Sequence, residues 1–256
     1  MKPCFVKTEN TARFLSALGA LNDRGASEAC LLVVDGEPGL GKTTIINWWA
    51  VQEGCVYLRA KKEWTPSWML RELLGALRIT PAHSFERMYA QALAELGARA
   101  ANAARDDATF AVVVDEVDHI SRRSDMLETL RDLSDMLEIP FVLVGMGKVR
   151  HNMARFPQIA SRCAPPVEFR PCSLADVRTL VTSLGEVPVA DDLIALLHKE
   201  SKGYTREVKE GIAHIERCGK RNAGRTVDVA LMTGQTLLVD RRTGNPIKVR
   251  APEGER

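Results

Sequence analysis

The sequence predicts an α/β protein in which a five-stranded parallel sheet, flanked by helices, is followed by a small helical subdomain. Three observations predict it. Apolar runs of strand length alternate with longer helical patterns across residues 30–169. A glycine-rich turn follows the first run and opens a helix. After Pro171 the apolar runs stop and helical stripes continue alone.

The strands are expected at residues 30–35, 55–59, 110–115, 141–145 and 167–169, short runs drawn mainly from Val, Leu and Phe. Helices are expected at 42–51, 66–77, 85–104, 124–137 and 149–159. The fourth shows its face plainly, with Leu127, Leu130, Leu133 and Leu137 three or four apart. Crossovers of this length between strands belong to a parallel sheet covered on both sides. Ser173 and Asp176 have capping-box spacing ahead of a stripe of Leu174, Val177, Val181 and Leu184. Asp191 is placed to cap a second helix, to about Ser201, and a third runs over 205–218. Residues 236–240 and 246–249 flank Arg241-Arg242-Thr243-Gly244-Asn245, a hairpin pattern. The expected division is 1–171 for the sheet domain, 172–222 for the helical part and 223–256 for a basic tail.

Composition narrows the class. Of 256 residues, 45% are hydrophobic and 27% charged, as in ordinary globular chains. The first residues lack a signal-peptide core and no apolar stretch approaches a membrane span, so the expectation is a cytoplasmic protein without membrane partners. Six scattered cysteines with no C-x-x-C pair read as reduced thiols. A net charge of +2 does not by itself announce a nucleic-acid binder. From Glu216 onward, nine Lys/Arg against five Asp/Glu leave the tail at +4, a mild pull toward an acidic partner.

The chemistry begins in the glycine-rich turn. Residues 36–43 read Gly36-Glu37-Pro38-Gly39-Leu40-Gly41-Lys42-Thr43, with Thr44 next in the helix. This meets every position of the G-x-x-x-x-G-K-[ST] loop, with a strand before it and a helix after it. Backbone N–H groups of such a loop surround a nucleotide's phosphates, Lys42 reaches the β/γ-phosphates and the Thr43 hydroxyl is a Mg²⁺ ligand. The helix N-terminus adds its positive dipole end. ATP or GTP with Mg²⁺ is the expected ligand. Val112-Val113-Val114-Asp115-Glu116 supplies the acids: Asp115 for Mg²⁺ and Glu116 to position the attacking water. Asp118 and His119 read as the start of the next helix, not as a separate metal site. Arg162, just before the fifth strand, and Arg206, at the start of the third helix of the helical part, stand where a γ-phosphate could be contacted from a neighbouring and from the same subunit.

These motifs together resemble the AAA+ ATPases over roughly residues 5–218. Their Walker A loop corresponds to 36–43, Walker B to 112–116, the arginine finger to Arg162 in Ser161-Arg162, and sensor 2 to Gly203-Tyr204-Thr205-Arg206. Within that family the chain is most similar to the transposition B proteins of Mu-like bacteriophages and related transposon ATPase regulators. Phe5-Val6-Lys7-Thr8-Glu9-Asn10, Tyr57-Leu58-Arg59-Ala60 with Trp64-Thr65, and Val142-Leu143-Val144-Gly145-Met146 carry the finer likeness.

The resemblance implies that the helical part is a lid. It also implies an ATPase that binds double-stranded DNA without sequence preference, self-assembles into rings or helical filaments, and delivers target DNA to a transposase in a bacterial host's cytoplasm. Two departures stand out. Few residues precede the first strand where the Mu protein has a helix-turn-helix appendage. Gly145-Met146-Gly147-Lys148 also stands where sensor 1 offers a polar side chain, with Lys148 a candidate substitute. For DNA phosphates the expected contacts are Arg59, Lys61 and Lys62 after the second strand, and Arg122 and Arg123 after Walker B. Trp64 reads as packing. Two other readings share these motifs: a helicase loader or initiator-like ATPase, and a signalling or secretion ATPase acting on protein alone.

Overall fold

The computed structural model describes residues 1–22 and 30–251. The chain forms two compact units. A sheet unit comprises Arg13–Pro38 and Lys42–Phe169, and a helical unit comprises Met1–Ala12, Gly39–Gly41 and the chain from Arg170 onward. The first helix, α1 (Glu9–Asn22), contributes to both.

In the sheet unit the order is β1 (Leu31–Asp35), α2 (Lys42–Gln52), β2 (Val56–Arg59), α3 (Pro66–Ala76), α4 (Phe85–Arg105), β3 (Val112–Asp115), α5 (Ser124–Leu137), β4 (Phe141–Val144), α6 (Val149–Met153), α7 (Pro157–Ala160) and β5 (Val167–Glu168). The five strands are parallel and lie in the order β2-β3-β4-β1-β5. β3 and β4 are buried along their whole length, as expected of strands with helices on both faces. Parallel pairing gathers all the C-terminal strand ends at one edge, where open α/β sheets bind ligands. The register Arg59↔Asp115 sets the end of β2 beside the end of β3.

Local chemistry accounts for the helix boundaries. Thr65 caps α3, accepting from the Trp68 N–H with Pro66 at the first helical position, and Ser84 caps α4 by accepting from the Arg87 N–H. Leu127, Leu130 and Leu133 of α5 are buried in the core, with Leu137 packed at its margin. Trp64 is fully buried in the same core, among Met69, Leu70 and Leu73. The ring of Phe14 from α1 meets Trp49 of α2 edge-on, centroids 5.2 Å apart.

The helix expected over 149–159 is two short ones. Pro157 has no N–H to give, and it holds Phe156 in extended backbone, so α6 ends and α7 restarts with Pro157 in its first turn. The segment after Glu116 is a single 3₁₀ turn, Val117–His119, rather than the start of the next helix.

In the helical unit, α8 (Leu174–Leu184), α9 (Asp191–Ser201), α10 (Thr205–Arg221) and α11 (Val229–Met232) precede an antiparallel hairpin of β6 (Thr236–Val239) and β7 (Pro246–Lys248). Ser173 and Asp176 form a complete capping box. Asp191 does not cap α9. Ala190 occupies that place, and Asp191 and Asp192 sit in the first turn, where the helix dipole favours negative charge. The hairpin turn is organised by the Asp240 carboxylate, which accepts from the N–H groups of Arg242 and Thr243 at 2.8 and 2.9 Å. Leu237 and Leu238 share one apolar cluster with Val177, Leu197, Val208 and Ile212, so hairpin and helices form a common core. No helix among the described residues is long and apolar enough to cross a membrane.

Candidate nucleotide-binding site

The loop after β1 needs glycine where the chain turns left-handed. Gly39 and Gly41 have φ of +90° and +86°, which a Cβ would make costly. Lys42, the first residue of α2, curls back across the loop. Its Nζ donates to the carbonyls of Gly36 at 2.6 Å and Glu37 at 2.9 Å. The side chain is largely buried. Burial pulls its pKa below the usual lysine value, opposed by the negative charges of Asp35 and Asp115. Thr43 is exposed on the first turn of α2, and its hydroxyl donates to Asp115 Oδ2 at 2.8 Å.

Asp115 is the best-supported acid of the site. Its Oδ2 also accepts the Tyr57 phenol at 2.6 Å, and its Oδ1 accepts the Glu116 N–H at 2.8 Å. Burial, then this bond to the carboxylate, push the Tyr57 pKa up, so the phenol stays a donor. A hydroxyl and a carboxylate oxygen, hard and converging, are donors that suit Mg²⁺, and Thr43 and Asp115 would hold it.

Glu116 sits in left-handed backbone, φ +56° and ψ +36°, a conformation a glutamate adopts at a cost. Its carboxylate forms an ion pair with Arg59, and His119 Nε2 lies 3.7 Å away. The bond to the Arg59 guanidinium holds the Glu116 carboxyl below the usual range. Both acids expected from the sequence are therefore adjacent, but in different service. Asp115 is locked toward Thr43, while Glu116 is turned to Arg59.

At the end of β4, Gly145 leaves no space for a polar side chain: a Cβ there would fall 2.1 Å from Val149 Cγ2 and 2.9 Å from Asp118 Oδ2. Instead Asp118 reaches across from the 3₁₀ turn, and its Oδ2 accepts the Met146 N–H at 2.7 Å. Burial raises the Asp118 pKa. Lys148 is exposed, and its ammonium has no hydrogen-bond partner among the described residues.

Arg162 follows α7 and is held twice. Its carbonyl accepts the Leu31 N–H at 3.1 Å, and its Nε donates to Asp135 Oδ2 at 3.0 Å. Leu31 is the first residue of β1, and the phosphate loop starts five residues later at the strand's other end. At about 3.3 Å per residue this puts Arg162 roughly 17 Å from its own loop, beyond an arginine's reach. In the helical unit, the Arg206 N–H donates to the Gly39 carbonyl at 3.0 Å.

Of the residues expected to touch DNA, three are engaged within the protein. Arg59 pairs with Glu116. Lys61 pairs with Glu72 and lies 5.4 Å above the Trp68 ring, and Arg123 pairs with Asp125 and donates to the Trp64 carbonyl. Lys62 and Arg122 are exposed with no side-chain partner among the described residues. Sequence reasoning missed Tyr57 and Asp135 as partners of Asp115 and Arg162. A tyrosine on β2 and an aspartate on α5 carry no motif; only strand register and helix packing bring them into contact.

A search of curated proteins found no match. Many solved structures resemble the fold, among them these three. Cdc6p from Pyrobaculum aerophilum is 16% identical over 90% of this chain and 68% of its own, with a TM-score of 0.63. The Aeropyrum pernix Orc1 protein, solved in complex with DNA, is 17% identical over 88% of this chain, TM-score 0.56. A Thermotoga maritima RuvB mutant is 18% identical over 87% of this chain and 67% of its own, TM-score 0.55. The chain spans 63% of the length of the Orc1 protein it matches. A family profile described as AAA domain matches residues 24–153, from before β1 to the end of α6. With that match over both phosphate loop and acidic strand end, the chain belongs to the AAA domain family.

Proposed function

We propose that this protein is a Mg²⁺-dependent ATPase whose active site is completed by a second copy, and that the ATP-bound assembly grips double-stranded DNA and presents it to a transposase. The observation that carries the shared site is the position of Arg162: bonded to Leu31 at the far end of β1, it is too distant from its own loop, and on leaving Asp135 it could serve a neighbour's. Lys42 and the loop N–H groups take the phosphates, and Thr43 and Asp115 hold the metal, which screens the phosphate charge. Glu116 orients the attacking water once it leaves Arg59. Arg206, bonded to Gly39 through its backbone, is the candidate second arginine.

The DNA part rests on the likeness of residues 5–10, 57–60 and 142–146 to transposition B proteins. Lys62 and Arg122, both without internal partners, are its first candidate contacts. Sedimentation with duplex DNA in ATP, in a non-hydrolysable analogue and in ADP tests the reading. Equal recovery in ATP and analogue, with little in ADP, is expected; equal binding in all three would overturn it.

The fold's similarity to Orc1 and Cdc6 proteins favours a second reading, an initiator or helicase-loading ATPase. Stimulation of turnover by a transposase but not by a replicative helicase separates the two.

Tyr57 has a testable part in metal binding. Tyr57→Phe removes the bond that orients the Asp115 carboxylate, and outer-sphere partners of this kind are worth about 10-fold or more in metal affinity. The Mg²⁺ concentration for half-maximal turnover should rise by that factor, while metal-free nucleotide binding, measured by fluorescence, stays unchanged. An unaltered Mg²⁺ requirement would show Tyr57 to be structural only.

A further inference from the structure

Between Glu138 and Glu168 the chain contains no Asp or Glu, yet it carries Lys148, Arg150, His151, Arg155 and Arg162. Arg162 is paired with Asp135. The other four are exposed, and none has a side-chain partner among the described residues. Elsewhere in the sheet unit the cations are mixed with acids: Arg59, Lys61, Arg99, Arg123 and Arg131 each pair with a carboxylate. An ordinary solvated surface mixes both signs. The stretch between Glu138 and Glu168 carries cations without acids.

The segment is also firmly mounted. Val149, Asn152 and Met153 are the buried side of α6. Asn152 Nδ2 donates to Ser121 Oγ at 2.9 Å, and Ser121 Oγ donates to the Asp118 carbonyl. The Met146 N–H on Asp118 anchors the entry to the helix. These bonds tie α6 to the loop after β3, so that Arg122, next in the chain to Ser121 and likewise exposed, joins the same group. The result is a set of unneutralised cations on a fixed support near the C-terminal ends of β3 and β4.

We infer that residues 148–155, with Arg122, form the surface that holds duplex DNA by its phosphates. This deepens the DNA-binding reading above and rests on it, moving the main contact from the loop after β2 to α6. Duplex DNA presents one negative charge per about 1.7 Å of axis, and cations without internal partners bind it at no cost in broken ion pairs. Contacts from lysine and arginine to phosphate oxygens carry no sequence information, which fits binding without sequence preference.

The test is fluorescence anisotropy of a labelled duplex of arbitrary sequence with the full chain and ATP, repeated across salt concentrations. In the triple variant Arg122→Ala, Arg150→Ala, Arg155→Ala, affinity at physiological salt should fall more than about 10-fold, and the slope of log K against log salt should flatten by roughly 2 to 3. Lys61→Ala with Lys62→Ala should change the slope less. Gln at the three positions keeps the side-chain stems and serves if the Ala variant does not fold. ATP-dependent assembly without DNA, followed by light scattering, should be unchanged. An unaltered salt slope overturns the inference while leaving DNA binding standing. Loss of assembly without DNA overturns it in favour of a contact between copies. Failure of the unmodified chain to bind duplex in ATP overturns both this inference and the reading beneath it.

Discussion

Glu116→Gln is expected to leave nucleotide binding and ATP-dependent assembly intact and to lower turnover by roughly 10²- to 10⁴-fold, the usual worth of a group that positions or deprotonates the attacking water. The change removes a negative charge but keeps the size and one acceptor oxygen. Its structural cost is small, because the Glu116–Arg59 pair is largely exposed and such pairs contribute little to stability. Asp115 keeps its bonds from Thr43 and Tyr57, so the residues proposed to hold the metal are untouched. Single-turnover hydrolysis of radiolabelled ATP, beside equilibrium binding of a fluorescent analogue, separates chemistry from binding. Surviving turnover would mean that Glu116 is not the catalytic carboxylate and that its ion pair with Arg59 is its whole role.

Arg162→Ala is expected to cost more, about 10³-fold or greater, since an arginine supplied across an interface stabilises charge that develops only in the transition state. Because removal of the guanidinium also takes from Asp135 the nearer of its two arginine partners, leaving Arg131 at 3.9 Å, Arg162→Lys is the companion variant: it keeps an ammonium for the ion pair but loses the planar fork. The decisive measurement mixes two inactive proteins. A Glu116→Gln copy binds ATP and still carries Arg162; an Arg162→Ala copy has an intact Glu116. Where the first stands beside the second, Arg162 of one completes the site of the other, and turnover should reappear on mixing. No recovery at any ratio would overturn the shared site. Full activity of the Arg162→Ala protein alone would remove Arg162 from catalysis.

Much of this could be read from the sequence, for a physical reason. The phosphate loop is local: its glycines, Lys42 and Thr43 fall within eight residues, and the roles proposed for them follow from backbone conformation and dipole direction over that span. Asp115 and Glu116 end an apolar run, so the strand's own length places them at the binding edge of the sheet. The capping box at Ser173 and Asp176 is likewise a contact three residues long, and it forms as its spacing requires. Expectations failed where a local pattern was interrupted or too weak. The apolar residues of 149–159 suggest one helix, but Pro157 breaks it. Asp191 has the right chemistry for a cap yet lies one residue inside the helix.

What the sequence by itself determined is therefore the α/β order of elements, the phosphate loop and the acidic strand end, each set by neighbours in the chain. What only the tertiary structure decided is which cations are free and which are committed. Arg59, Lys61 and Arg123 look like DNA contacts in the chain and turn out to be bonded to Glu116, Glu72 and Asp125, while Lys148, Arg150 and Arg155 have no such partners. The same holds for Tyr57 on Asp115 and Asp135 on Arg162, residues 58 and 27 positions apart in sequence. A side chain's charge is written in its residue type, but its availability depends on what strand register and helix packing bring within hydrogen-bond distance, and no local pattern encodes that.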